Sequence, residues 1–439
     1  MTPPAQHKLG PILLAPGIQP RQVGAFIVFA MTMACMATFL PTMMPFILAD
    51  QLGLDRATHG RIIGTTQVVQ QTTSVLLIAV FGALADRHGR KIFLLIACGG
   101  FILASLWFPF VTALPVLFAT MLFVGVSQTA FTAGGATSVV DYPDNNSRGK
   151  YIALMLLTQG VFAGFFAGRV ATRVPDWLKE AGVAPDVAMM AGFWFVAALG
   201  MIGFAFAWRG ITVDRKRDTA EAEGVAAAFR AAFVNLRDVL AHARANKRFR
   251  LVLLVACVVR SDFLIVNSFL SLWVVSVAAD QGIGADAARF HAGDFVFLLS
   301  IAGVIMPVVS GFVADRAPRI NFLMAALAFA AIAYSATALI GDIFGWGAWT
   351  VVALIGLAEG TITVGAQSML GEEAPPHLRG SSIGMFTLAG LIGVVLVSLA
   401  GGFAFDAIHP SAPFVLVGAL NLIALVFAAI YARQRSAVE

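Results

Sequence analysis

The chain has 439 residues, of which 59% are apolar and only 12% are charged, and its mean hydropathy is +0.86. A chain of this composition is too apolar to fold around a water-soluble core, so we expect a polytopic membrane protein. The net charge of +5 comes from basic residues that lie mainly between apolar segments, which is typical of membrane topology rather than of nucleic-acid binding. Cys35, Cys98 and Cys257 fall inside apolar segments, so we expect neither disulfides nor a cysteine metal site.

Twelve segments predict transmembrane helices near the ~20 residues needed to cross a bilayer, the fifth and seventh being the weakest. The predicted helices are 22–48, 58–85, 92–111, 114–140, 151–173, 188–208, 250–278, 289–314, 320–340, 347–371, 381–405 and 412–432. An even number of spans puts both termini on one side, and the loops rich in Lys and Arg place that side in the cytoplasm. No removable signal peptide is expected, and the short loops suit a bacterial inner membrane.

A long charged stretch divides the chain near its middle. We therefore predict an N-terminal six-helix bundle over 1–208, a cytoplasmic linker over 209–249 and a C-terminal six-helix bundle over 250–439. Within the linker, residues 220–245 show helical spacing of apolar and charged residues. This pattern fits an amphipathic helix on the membrane surface or a plain solvated helix equally well.

The two halves share sequence features in the same order. GALADRHGR, which begins at Gly82, matches GFVADRAPR, which begins at Gly311. Further along, the pair Arg148-Gly149 corresponds to Arg379-Gly380, and Gln128 corresponds to Glu359. Two matches in order at nearly one offset indicate an internal duplication.

The stretch Gly82–Lys91, GALADRHGRK, resembles the loop signature of the major facilitator superfamily, and it lies between helices 2 and 3, where that family has it. The resemblance implies an all-α membrane fold with twelve transmembrane helices in two pseudo-symmetric six-helix bundles. It also implies a secondary transporter that works by alternating access, and it says little about the substrate.

The resemblance also implies a conformational gate at this loop. Asp86 would meet the positive N-terminus of helix 11 at Ser381 and Ser382, and Arg90 would pair with Asp141 at the end of helix 4. The alternative is that these charges only fix the orientation of the chain. The predicted gate residues are Gly82, Asp86, Gly89, Arg90, Asp141, Asp315 and Arg316.

Ionisable residues inside predicted spans are costly and are candidates for function, and here they lie mainly in the second half. Arg260 and Asp262 fall in helix 7, Glu359 in helix 10 and Asp294 near the end of helix 8. Residues two positions apart on a helix do not share a face. We therefore expect Arg260 near Glu359 and Asp262 against a neighbouring helix. Glu359 and Asp262 are the predicted proton-coupling residues. The alternative is a static buried ion pair.

The first half supplies neutral polar side chains instead, some of which should hydrogen-bond a substrate. Together with Arg260 of the second half, the predicted substrate-binding residues are Gln128, Gln67, Gln159 and Thr38. Helix 1 also carries a stripe of Met and Phe that would form either an adaptable apolar wall or ordinary packing. The stripe consists of Phe26, Met33, Met36, Phe39, Met43 and Met44.

A lone cavity arginine favours a small organic anion of the carboxylate type, because guanidinium binds carboxylate as a bidentate fork. We therefore predict a proton-coupled secondary transporter of such an anion, acting as a monomer in the lipid bilayer, with no cofactor, no metal and no nucleic-acid partner. The first alternative is a proton-coupled exporter of amphipathic drugs or lipids, although Met121 stands where many drug antiporters have arginine. The second is a nontransporting membrane sensor, and an enzyme is not expected.

Overall fold

The computed structural model describes residues 7–135, 142–144, 147–211, 237–314, 316, 318–375 and 378–436. These residues are overwhelmingly helical, as the sequence predicts. Asp141, Asp315 and residues 220–236 of the predicted linker helix lie outside the described residues, whereas 237–245 are helical. The backbone of Asp86 is described, but its side chain is not.

The described residues form twelve long helices, which coincide with the twelve predicted segments to within five residues, except that the fifth, predicted to end at 173, ends at Ala163 and continues as a π-helical turn. The first six are α1 (Pro20–Phe46), α2 (His59–His88), α3 (Arg90–Trp107), α4 (Leu114–Gly135), α5 (Arg148–Ala163) and α6 (Pro185–Gly210). The second six are α7 (Lys247–Asp280), α8 (Ala285–Ala314), α9 (Arg319–Ser335), α10 (Trp346–Glu373), α11 (Arg379–Ala407) and α12 (Ala412–Ser436).

Short irregular turns prolong several of these helices. A π-helical turn follows α1 at Ile47–Gln51, and another follows α5 at Gly164–Val170. Before α1, a small hairpin of β1 (Lys8–Leu9) and β2 (Ile12–Leu13) pairs in antiparallel fashion. The remaining short helices are Arg56–Thr58, Phe108–Phe110, Val174–Glu180 and Ala336–Leu339.

Ten of the described helices are long and apolar enough to cross a membrane. The fifth segment meets this condition although it was expected to be weak, and the seventh does not, as expected. The second segment also fails it, so the prediction of a sufficiently apolar span there was wrong. The two long helices outside the ten are α2 and α7. The interior of α2 carries Gln67, Gln70 and Gln71, and the interior of α7 carries Arg260 and Asp262.

The chain packs into two compact units whose boundaries cut through α1 and α2. The first unit comprises Met1–Leu40 and Leu76–Phe229, and the second comprises Pro41–Val75 and Arg230–Glu439. Pro41 lies inside α1 at the boundary itself, and a proline there removes a backbone hydrogen bond from the helix. The end of α1 and the start of α2 therefore pack with α7 to α12.

The first unit is built on close approaches of neutral helices. In it α3 packs on α4 and α6. A side chain at Gly100 would meet the Ser127 hydroxyl, and one at Gly203 would meet the Thr32 hydroxyl. Small residues at such crossings let helices approach closely within a membrane.

The second unit is arranged around α7. This helix packs against α8, α10, α11 and α12, while α9 packs against α10 and α12. Asn246 caps the start of α7, because its side-chain oxygen accepts hydrogen bonds from the backbone N–H of Arg248 and Phe249. Polar side chains in the middle of α7 are thus surrounded by helices of the second half.

Candidate transport site

Asp262 is held by an amide from the last helix of the chain. Its side chain is completely buried on α7, and its Oδ2 accepts a hydrogen bond of 3.2 Å from Asn421 Nδ2 on α12. The remaining oxygens, Asp262 Oδ1 and Asn421 Oδ1, are buried without a hydrogen-bond partner. The expectation that Asp262 packs against a neighbouring helix of the second half is confirmed.

Glu359 is held by a phenol rather than by an arginine. Tyr334, fully buried on α9, donates a hydrogen bond of 2.8 Å from its hydroxyl to Glu359 Oε1 on α10. Glu359 itself keeps part of its surface accessible. Glu359 and Asp262 interact electrostatically with each other and with Tyr334, so the two carboxyls and the two neutral donors form one polar cluster in the second unit.

Arg260 stands apart from both carboxyls. Its Cβ and Cδ pack against Gly390 of α11, lying 3.0 and 2.7 Å from where a Cβ on that glycine would be. No carboxylate oxygen of the described residues lies within 4.0 Å of its guanidinium, and its Nε has no hydrogen-bond partner. Arg260 therefore forms no ion pair with Glu359. The alternative of a static pair between Arg260 and Asp262 is not formed either, because Arg260 faces α11 and Asp262 faces α12.

The predicted neutral substrate residues are dispersed. Gln67 donates a hydrogen bond of 2.9 Å to the Ser268 hydroxyl on α7, and this contact is buried in the second unit. In the first unit, the amide of Gln159 donates to the backbone oxygen of Met155 in its own helix. Gln128 and Thr38 are partly exposed there.

Of the predicted gate, the structure describes the loop backbone and little more. Gly89 joins α2 to α3 with a backbone φ of 92°. Residues other than glycine rarely adopt this conformation. Gly82 is partly exposed in α2, Arg90 begins α3 and has an interaction partner, and Arg316 is exposed. The predicted pairs of Asp86 and Asp141 involve side chains outside the described ones.

A cavity of about 300 Å³ lies at a different place in the second unit, at the end of the helices that holds the loop 52–58. Its lining comes from α1 and its π-helical turn, the loop, the start of α2, and helices α7, α8 and α11. It includes Asp50, Arg56, His59 and Phe405. None of the predicted substrate residues lines this cavity. We call this region the loop end of the second unit.

Sequence reasoning missed Tyr334, Asn421 and Ser268 as partners of the predicted residues. Asn421 carried a usable signal, because a lone amide in an apolar helix is usually hydrogen-bonded to a neighbouring helix. Tyr334 and Ser268 carried none, since a single tyrosine or serine in a span is ordinary. Their roles follow only from which helix faces meet.

Comparison with known proteins identifies the family. The family model described as Major Facilitator Superfamily matches residues 25–397 and 350–439. Among solved structures, the nucleoside transporter NupG superposes with a TM-score of 0.68 and 16% identity, over 94% of this chain and 99% of its own. A POT family transporter superposes with a TM-score of 0.67 and 13% identity, over 95% and 97%.

Relatives by sequence include two magnetosome proteins. MamZ of Magnetospirillum gryphiswaldense is 24% identical over 88% of this chain, and the chain spans 58% of MamZ. MamH of Paramagnetospirillum magneticum is 26% identical over 94% of this chain and 92% of its own length. The family match covers most of the chain, and with the helical architecture it confirms the predicted fold. The chain belongs to the Major Facilitator Superfamily, a family of membrane transporters rather than enzymes, and is a multi-pass membrane protein.

Proposed function

We propose that this protein transports a small organic anion of the carboxylate type by alternating access, with protons as the coupling ion. The observation that carries the proposal is the environment of Arg260. Arg260 is partly buried, and a cation withdrawn from water without a counter-charge is costly. No carboxylate of the described residues compensates it. A bound carboxylate would supply the missing charge and match the guanidinium fork.

The proposed coupling group is the polar cluster of Asp262, Glu359, Tyr334 and Asn421. Among the described residues, both carboxyls are bound by neutral donors and not by cations, so hydrogen bonds rather than ion pairs would stabilise a charge on either. Because the two carboxyls also repel each other when both are ionised, the cluster is suited to take up and release a proton. This separation leaves Arg260 available for the anion.

The remaining predicted residues complete the proposal. Gln67, Gln128, Gln159 and Thr38 would supply the neutral part of the substrate site. We propose a monomer with both termini in the cytoplasm, in a bacterial inner membrane. The proposed conformational gate comprises Gly82, Asp86, Gly89, Arg90, Asp141, Asp315 and Arg316.

The export of amphipathic compounds finds less support. It needs an adaptable apolar surface, for which the Met and Phe stripe of α1 was the candidate. Each of those six side chains is at most 4% exposed, which supports ordinary packing within the protein. The names of the magnetosome relatives specify no substrate, and the solved structures are similar in fold alone.

The proposal is tested with purified protein in liposomes that contain a pH dye. A panel of mono- and dicarboxylates is added outside, with a lipophilic cation as the comparison and Arg260→Gln as the control protein. We expect at least one carboxylate to move protons through the parent protein and not through the variant. Proton movement with the lipophilic cation and with no carboxylate would reject the proposal in favour of an exporter.

A further inference from the structure

The first turn of α2 is capped by a carboxylate from the far end of α11. Asp406 Oδ1 accepts a hydrogen bond of 2.7 Å from the backbone N–H of Gly60, and Oδ2 accepts one of 2.8 Å from that of Arg61. The Arg61 Nε donates a third bond of 3.1 Å to Oδ2. Only 4% of the Asp406 side chain is exposed, so the cap is shielded from water.

The backbones of the two helices touch beside this cap. A Cβ on Gly60 would lie 2.6 Å from both Asp406 Oδ1 and the Gly402 carbonyl oxygen. One turn further along α2, a Cβ on Gly64 would meet the carbonyl oxygen of Ser398, and a Cβ on Gly402 would meet that of Gly60. The crossing therefore requires glycine on both helices, and α2 and α11 run in opposite directions through it.

The chemistry of the cap makes it sensitive to separation of the helices. The first N–H groups of a helix lack partners within it and carry partial positive charge. One carboxylate satisfies two of them at Gly60 and Arg61. If α2 and α11 separate, these two donors and the buried carboxylate lose their partners together. The cap therefore stabilises the arrangement in which the two helices are in contact.

The other contacts at the loop end are weaker or less specific. Arg56 pairs with Asp280 of α7 at 3.4 Å, but both side chains are more than half exposed, and exposed pairs stabilise little. The cavity of about 300 Å³ lies next to the cap, where it is lined by Arg56, His59 and Phe405. Neither Gly60 nor Asp406 lines this cavity.

We infer that Asp406 is a latch that holds α2 against α11 at the loop end and is released during each transport cycle. The inference rests on the alternating access proposed above, because that mechanism requires this end to open. The predicted contact of Asp86 with the start of α11 would be its counterpart at the opposite ends of the same two helices. At the loop end, the carboxylate belongs to α11 and caps α2. At the opposite end, the predicted carboxylate belongs to α2 and would cap α11.

The test measures opening through a buried cysteine. Ser398 is 1% exposed and its backbone lies at the crossing, so Ser398→Cys in a chain with Cys35, Cys98 and Cys257 replaced by alanine reports separation of the helices. The labelling rate with a charged, membrane-impermeant maleimide is compared in the parent and in Asp406→Asn. We expect a roughly three- to thirtyfold faster rate in Asp406→Asn, from the usual strength of a charge at a helix N-terminus.

Matched variants keep the test decisive. Asp280→Asn removes a carboxylate from the exposed pair at the same end and should change the rate by less than about twofold. Gly402→Ala should also accelerate labelling, because its methyl group needs the space of the Gly60 carbonyl. Gly384→Ala on the same helix meets nothing within 4 Å and should leave the rate unchanged.

Labelling at the parent rate in both Asp406→Asn and Gly402→Ala, with both variants folded, would overturn the latch. Equal acceleration by Asp280→Asn would also overturn it, since the effect would then be general to the loop end. The assay needs no transported solute. A protein that labels as expected but moves no carboxylate would therefore reject the proposed substrate and leave the latch supported.

Discussion

The two packing units bury polar groups in different ways. In the first unit, glycine crossings bring neutral helices together, and the hydroxyls there bond to backbone oxygens, as Thr32 does to Phe29 and Ser127 to Phe123. In the second unit, hydroxyls such as Ser261 also bond within their own helix, but side chains there bond from helix to helix as well, as Asn421 does to Asp262 and Tyr334 to Glu359. A hydroxyl satisfied within its own helix is independent of its neighbours, whereas an interhelical carboxyl bond responds to their movement. This difference places the proposed coupling chemistry in the second unit.

The largest expected effect is on coupling. Glu359→Gln keeps the size of the side chain and its ability to accept from Tyr334, but it cannot release a proton. We expect proton-driven accumulation of substrate to disappear while exchange of substrate across the membrane continues. Both activities are measured with radiolabelled carboxylate in proteoliposomes.

The matched control is Glu372→Gln on the same helix. Glu372 is exposed and pairs with Arg319 at 3.7 Å, so its replacement should leave accumulation intact. Accumulation that persists in Glu359→Gln would refute the coupling role.

The next effect is on affinity. Arg260→Ala removes charge-assisted hydrogen bonds worth about 1.5–3 kcal/mol, so the Kd for a carboxylate substrate should rise about ten- to a hundredfold. Arg260→Lys keeps the positive charge but loses the bidentate geometry of guanidinium, so its Kd should lie between those of the parent protein and Arg260→Ala. Ligand-induced thermal stabilisation measures both.

Arg250→Ala is the control for this affinity effect, because Arg250 is exposed on the same helix. An unchanged affinity in Arg260→Ala, or an equal loss in Arg250→Ala, would contradict the proposed contact with the anion.

A smaller effect is expected on stability when a helix-to-helix bond is lost. Asn421→Ala leaves Asp262 buried without its donor, which should cost about 1–3 kcal/mol of unfolding free energy. Gln159→Ala in the first unit removes a bond to its own helix backbone and should cost less than about 0.5 kcal/mol. Thermal unfolding in one detergent compares them, and equal losses would erase the contrast between the units.

The smallest effect concerns packing in the first unit. Gly203→Ala places a methyl group against Thr32, and this overpacking should cost about 1–2 kcal/mol, within the usual range for added methyl groups. Gly149→Ala meets nothing within 4 Å and should be neutral or slightly stabilising. If Gly203→Ala is also neutral in thermal unfolding, close glycine packing is not what holds these helices together.

Much of the fold could be predicted because it depends on local properties. Twelve helices followed from hydropathy and length, and the family followed from the GALADRHGRK loop. The candidate site was predicted less completely. Spacing along α7 correctly separated Arg260 from Asp262, since it depends only on helix geometry. Arg260 was expected near Glu359, but Tyr334 is the partner of Glu359, because the positions of charges along a sequence do not determine how their helices are rotated.

The sequence by itself determined the class of protein, the number of long helices and which ionisable residues lie inside them. These are properties of composition and short-range pattern. Only the tertiary structure decided the partners, such as Asn421 for Asp262 across 159 positions and Asp406 for the start of α2 across 346. A hydrogen bond between helices depends on which faces meet and at what height, and that is fixed by the packing of the whole unit.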